Sequence, residues 1–224
     1  MTDERMIMTI AVLGGTGKEG SGLALRWALK GYRVIIGSRD AERAQSHAAA
    51  MNAQLGGAYL SGAANAAAAA QADVVVLSVP YAAHQATLEG VREHLGGKVV
   101  VDLTVPLQPP KVRTVHLPEG KAAALEAQAL LGEAVKVVAA FQNVSAVELD
   151  DPAHGIDCDV LVCGDDAGAK ATVMKLVEAC GLRGVDAGPL ANAIAVEALT
   201  PVLLYINKAY GIKGAGIRIT GIAE

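Results

Sequence analysis

Short apolar runs alternate along the chain with amphipathic stretches. Residues 7–13 (Ile-Met-Thr-Ile-Ala-Val-Leu) form an apolar run bounded by glycines, the pattern of a strand buried in a parallel sheet. Residues 21–30 follow, with Leu23, Leu25, Ala28 and Leu29 placed for a helix on that sheet. The alternation continues with strands expected at 32–37, 58–61, 73–80, 98–102 and 135–141, and helices at 40–55, 63–72, after Pro80 to Leu95, and 121–131. The alanine run within 63–72 reads as a tightly packed helix. Beyond Asp150-Asp151-Pro152 come a strand (159–164), a helix (167–180), a short strand (183–186), a long helix (190–210) kinked at Pro201, and a glycine-rich tail. Regular alternation implies an α/β, Rossmann-type, doubly wound parallel sheet with right-handed crossovers. The expected division is a nucleotide-binding domain over 1–148 and a smaller C-terminal α/β segment over 149–224.

Between the first strand and helix, Gly15, Gly17 and Gly20 fit the G-x-G-x-x-G spacing. This allows a tight turn, a close backbone approach to a pyrophosphate, and a helix N-terminus facing the anion. An NAD-preferring site would place Asp or Glu at the end of the second strand. This chain has Gly37-Ser38-Arg39, with Arg43 one helical turn on. A hydroxyl and two guanidinium forks suit the 2′-phosphate of NADP. The bland alternative is a solvated helix start, since Asp40 and Glu42 flank the arginines. Ser78, Val79 and Pro80 end the fourth strand and belong at the ribose and nicotinamide edge. His84 is read as a helix residue more than as an acid or base. The irregular stretch 103–120 carries Lys111 and Arg113, and its length favours a functional loop.

Composition narrows the classes. The chain has 224 residues, 52% hydrophobic but 3% aromatic, which points to an interior of Ala, Val, Leu and Gly. Net charge is −4 without a basic run, which disfavours nucleic acid. No stretch of eighteen residues is uninterruptedly apolar, which disfavours a membrane span. Residues 1–5 are charged with both signs and do not resemble a secretion signal, so a cytoplasmic location is expected. Cys158, Cys163 and Cys180 form no C-x-x-C pair and are expected to be reduced. His154 and Cys158 are four apart, yet Pro152 and Gly155 argue against a helix presenting both to a metal, and none is expected.

Several segments together resemble the F420-dependent NADP reductases. They are Leu13-Gly14-Gly15-Thr16-Gly17, Gly22-Leu23-Ala24-Leu25-Arg26, Gly37-Ser38-Arg39, Val162-Cys163-Gly164-Asp165-Asp166, Asp186-Ala187-Gly188-Pro189-Leu190 and Glu197-Ala198-Leu199-Thr200-Pro201. The resemblance implies reversible hydride transfer between NADP(H) and coenzyme F420, a 5-deazaflavin, by a homodimer. It implies that Thr16, Gly17, Lys18 and Glu19 hold the pyrophosphate, and Ser38, Arg39 and Arg43 the 2′-phosphate. Val79, Pro80, Ala83, Val144 and Ala146 would line the nicotinamide half. Gln142 departs from the family pattern, where a histidine stands in an archaeal member.

Hydride transfer between planar rings requires positioning and dryness, not an acid–base pair, so no catalytic side chain is assigned. The tail, with Gly214 and Gly216 and with Lys213 and Arg218 between its glycines, is expected to cover the second ring. Two rivals stand beside this reading. One is a small imine or keto reductase like pyrroline-5-carboxylate reductase, which needs a longer helical domain. The other is a non-catalytic NADP-sensing module.

Overall fold

The apolar runs form eight strands: β1 (Thr9–Leu13), β2 (Arg33–Ser38), β3 (Leu60–Ala64), β4 (Val74–Leu77), β5 (Val99–Asp102), β6 (Lys136–Ala139), β7 (Asp159–Gly164) and β8 (Arg183–Asp186). The helices are α1 (Lys18–Leu29), α2 (Ala41–Leu55), α3 (Asn65–Gln71), α4 (Tyr81–Glu89), α5 (Ala123–Leu131), α6 (Ala146–Leu149), α7 (Ala167–Ala179) and α8 (Ala193–Tyr210). This computed structural model describes residues 7–222; the charged segment 1–5 lies outside the described residues.

All eight strands form one sheet in the order β3-β2-β1-β4-β5-β6-β7-β8. From β3 to β6 every pair is parallel, in the doubly wound manner expected. The expectation of parallel strands throughout fails at one place: β7 runs antiparallel to β6. The link between them carries only the four-residue α6, so no full helix makes the crossover that a parallel partner needs. β8 then pairs parallel with β7 across α7, and the C-terminal segment thereby extends the same sheet.

Period-two geometry explains why the strands read as continuous apolar runs. Ile10 and Val12 point to one face, against Leu23 and Trp27 of α1 and Val173 and Leu176 of α7. Ala11 and Leu13 point to the other, against Ala68 and Ala69 of α3, Leu88 of α4 and Val196 of α8. The alanine run is therefore core, because side chains this small let α3 lie close on the sheet.

Two α1 side chains fasten the C-terminal segment. The Trp27 indole donates to Leu176 O at 2.8 Å. The buried Arg26 guanidinium donates to Cys180 O at 2.9 Å and Asp151 O at 2.6 Å, and also to the carbonyls of Glu148 and His154. Opposite them, the buried Glu197 of α8 accepts from Ala123 N at 2.7 Å and Ala124 N at 3.0 Å, satisfying the start of α5. The stretch Leu190–Tyr210 is long and apolar enough to cross a membrane by length and composition, and 33% of its most apolar eighteen residues are buried.

Candidate functional site

The turn after β1 is built from backbone. Gly14 has φ +77, and a Cβ there would lie 2.2 Å from Ser78 O and 2.7 Å from Val79 Cγ1. The left-handed residue is thus one position ahead of the expected triplet, and it brings the β4–α4 loop against the turn. Gly17 begins α1 with no side-chain cap, which leaves the first-turn N–H groups of Lys18, Glu19 and Gly20 available to an anion. Ser78 N donates to Leu13 O at 2.9 Å, and Pro80 leads into α4, whose first turn carries Ala83.

At the end of β2, Ser38 Oγ accepts from Asp40 N at 3.2 Å. The Asp40 carboxylate caps α2 through Glu42 N and Arg43 N, so the acidic neighbours of the arginines are employed in the helix start. Arg39 and Arg43 are exposed beside Ser38, and neither makes an ion pair among the described residues.

The turn opens on its other side into a cavity of about 360 Å³, within the range of small-molecule sites. Its walls come from Glu19; from Leu103, Val105 and Leu107 at the start of the long loop; from residues 142–147; from Thr200, Leu203, Leu204 and Asn207 of α8; and from Lys213 and Ala215 of the tail. Gln142, Val144 and Ala146 are therefore brought together with Glu19, while Lys111 and Arg113 stay on the exposed part of the loop. Burial pushes the carboxyl of Glu19 up to about 8.

Gln142 is held by two hydrogen bonds. Its amide donates to Asp102 O at 2.7 Å, and its own carbonyl accepts from Thr200 Oγ1 at 2.6 Å. The preceding Phe141 is fully buried with φ +74, an unfavourable conformation for an aromatic residue, braced edge-on by Trp27 at 6.0 Å. Gln142 Oε1 is buried and without a donor.

The tail is tethered rather than frayed. Ile217 O accepts from Asp159 N at 2.8 Å, Ile219 N donates to Asp159 Oδ2 at 2.6 Å, and Ala215 N donates to Asn207 Oδ1 at 2.9 Å. A Cβ on Gly214 would meet the Glu148 carboxylate at 2.1 Å, and one on Gly216 would meet Cys158 Sγ at 2.9 Å. Both glycines lie against the chain itself, Gly214 beside the flexible end of Glu148 and Gly216 beside Cys158.

Other candidate groups have structural partners. His84 Nε2 lies 2.7 Å from Asp102 Oδ2, both buried; burial lowers the histidine, and the Asp102 hydrogen bond and charge more than restore it, for a net rise. His154 pairs with Glu148 at 2.7 Å, away from Cys158, whose thiol packs against Asn143. A cavity of about 680 Å³ is lined by residues of α5, the start of β6 and Asp165-Asp166, away from the glycine turn. Its polar groups are already used: Gln128 bonds Gly132 O, Val135 O and Val137 N, and Asp166 caps α7.

Residues 9–106 match the family model described as NADP oxidoreductase, coenzyme F420-dependent. The F420-dependent NADP reductase of Methanothermobacter thermautotrophicus is 44% identical over 98% of this chain and 97% of its own. That of Methanocaldococcus jannaschii is 42% identical over 96% and 99%. The chain belongs to the F420-dependent NADP reductase family.

A crystal structure from Arthrobacter sp. FB24, assigned as an F420-dependent NADP reductase, superposes with a TM-score of 0.80 at 30% identity over 95% of this chain and 99% of that one. A pyrroline-5-carboxylate reductase from Coxiella burnetii superposes with a TM-score of 0.61 at 16% identity, which speaks for the fold alone. In this F420-dependent NADP reductase family member, sequence reasoning missed Asp102 and Asn207, and it named Arg26, Glu197 and Thr200 within the resembling segments without assigning their partners. Each acts on a partner at least eight positions away, so no local spacing announces them.

Proposed function

We propose that this protein transfers a hydride directly and reversibly between NADP(H) and coenzyme F420. The observation that carries the reading is 42–45% identity to F420-dependent NADP reductases over nearly the whole length of both partners. The geometry fits both ligands. An uncapped helix start and two unpaired arginines suit a dinucleotide with a 2′-phosphate, and the adjoining apolar cavity suits a flat ring. In this reading Gly15, Thr16, Gly17, Lys18 and Glu19 face the pyrophosphate, and Ser38, Arg39 and Arg43 the 2′-phosphate. Ser78, Val79, Pro80 and Ala83 border the nicotinamide, while Gln142, Val144, Ala146 and the tail around Gly214 and Gly216 border the deazaflavin.

The bound pair supplies the hydride chemistry, and the protein orients the rings and keeps water out. In the same reading residues 1–148 hold the nucleotide and 149–224 complete the ring site. Two copies associate through α8, whose Val202, Tyr205 and Tyr210 are 45%, 62% and 77% exposed. The protein works in the cytoplasm, away from membranes.

The test is direct. NADPH with oxidised coenzyme F420 should give loss of the deazaflavin absorbance as NADPH is consumed. Deuterium from nicotinamide C4 should reach deazaflavin C5 without solvent exchange, and small keto acids and imines should not replace the acceptor. Solvent hydrogen at that carbon would exclude direct transfer; tight NADPH binding without turnover would favour the sensing module. A monomer by light scattering at assay concentration would remove the α8 interface.

A further inference from the structure

We propose that His47 is a proton-linked positioning residue of the dinucleotide site. Through Ser21 it holds the Gly15 carbonyl of the phosphate-facing turn, and its ring gains a proton as the phosphates arrive. This rests on the NADP(H) reading above.

Ser21 Oγ is 2.8 Å from Gly15 O and 2.7 Å from His47 Nε2. A carbonyl can only accept, so the Ser21 hydroxyl hydrogen goes to Gly15. Ser21 Oγ then accepts from the imidazole, which fixes the hydrogen on Nε2 and leaves Nδ1 as the ring's remaining proton-binding atom. The bond survives in both charge states, because Nε2 donates in each.

The ring borders a cavity of about 240 Å³ shared with Thr16, Lys18, Ser21, Gln54 and Asp150, so it sits beneath the turn on the side away from the ring cavity. The charged groups around it are Arg43 one turn earlier on α2, Lys18 on α1 and Asp150 after α6. Glu19 faces the other cavity, and β2 and β3 beneath α2 bring no titratable side chain to this one. Burial first, then the Arg43 cation, holds His47 below the ordinary histidine range. Phosphate groups beside Arg43 offset its repulsion, so the ring binds a proton more readily in the complex, although burial, the larger cause, persists.

The sign follows from linkage. His47 has a higher pKa in the complex than in the free protein, so between the two values binding takes up a proton and tightens as pH falls, by up to about tenfold per pH unit. A 2′-phosphate, titrating near about pH 6, acts in the opposite direction. Comparison with His47→Gln cancels that contribution, and the Gln amide can still donate to Ser21.

The experiment is calorimetric titration of the full chain with NADP⁺ and with NAD⁺, between about pH 5.5 and 8, in two buffers of different ionisation enthalpy. Wild type should take up as much as about one proton more than His47→Gln, while the two bind equally at the alkaline end. Ser21→Ala should weaken NADP⁺ several-fold at every pH, because the turn loses its tether. An extra proton seen with both nucleotides assigns the pyrophosphate as its cause; one seen with NADP⁺ alone assigns the 2′-phosphate. Equal proton uptake by wild type and His47→Gln overturns the proposal while leaving the cofactor reading intact. Absence of binding by either nucleotide overturns both.

Discussion

The two halves of the candidate site are made differently. The dinucleotide cradle comes from one continuous stretch, β1 through the first turn of α2, and its working parts are backbone: a left-handed glycine, an uncapped helix start and a strand end. The adjoining ring cavity collects side chains from the α1 start, the 103–107 segment, the residues after β6, α8 and the tail. A backbone-built site must be written as local spacing, whereas a side-chain-built site needs only that the fold bring distant positions together. The first should be brittle to small changes at few positions, and the second tolerant of most single changes.

The most severe test of that contrast is Gly14→Val. The side chain would collide with Ser78 O and Val79 at a backbone angle that alone costs about 1–2 kcal/mol for a non-glycine residue. NADP⁺ affinity should fall by at least about a hundredfold, some 2.7 kcal/mol, with a lower unfolding temperature. Retention of wild-type affinity would mean that the cradle is more plastic than its geometry indicates. Arg39→Ala comes next. Losing a charge-assisted contact of about 1.5–3 kcal/mol should weaken NADP⁺ about ten- to a hundredfold. NAD⁺ affinity should be nearly unchanged, and an equal loss for both nucleotides would make Arg39 structural.

The same contrast explains what the sequence disclosed. The central strands β1, β2, β4, β5 and β6 were legible because their runs are buried on both faces, and the glycine turn because only spacing and residue type matter there. The left-handed position, Gly14, was displaced by one, since Gly14-Gly15 offers two glycines and only the approach of Ser78 and Val79 distinguishes them. The reversal of β7 was hidden because a strand's own pattern carries no direction. The tail was expected to cover the second ring, but its tethers to Asp159, Arg183 and Asn207 join distant positions and carry no local signal. Arg26 was named only as the end of the segment 22–26, with no partner assigned to it. Its burial follows from five carbonyls in residues 148–180 that no local rule assigns to it.

A smaller effect is expected in the ring cavity. Asn207→Leu removes the acceptor that ties Ala215 to α8 but leaves the tail's bonds to Asp159 and Arg183. One net hydrogen bond of about 0.5–1.5 kcal/mol predicts about a two- to tenfold loss in deazaflavin affinity, with NADP⁺ unaffected. Complete removal of residues 211–224 is a blunter test, because it also strips partners from Asp159. If Asn207→Leu impaired NADP⁺ equally, the two halves would not be separable.

Glu19 belongs to both halves, and its expected effect is absent over most of the pH range. Its carboxyl sits in the first turn of α1 and also faces the ring cavity, where burial pushes it up to about 8. Below that value it is a neutral acid, compatible with a pyrophosphate at the same helix start. Above it a carboxylate would oppose the anion. Binding of an anion favours the protonated form, so it raises this pKa further, and NADP⁺ affinity should decline as pH rises through about 8. The limiting slope is about tenfold per unit. Glu19→Gln keeps the shape and removes the titration, so its affinity should match wild type at neutral pH and stay level into the alkaline range. Titration of both proteins by NADPH fluorescence decides the matter. Parallel curves above pH 8 would show that the Glu19 carboxyl ionises without the bound nucleotide sensing it.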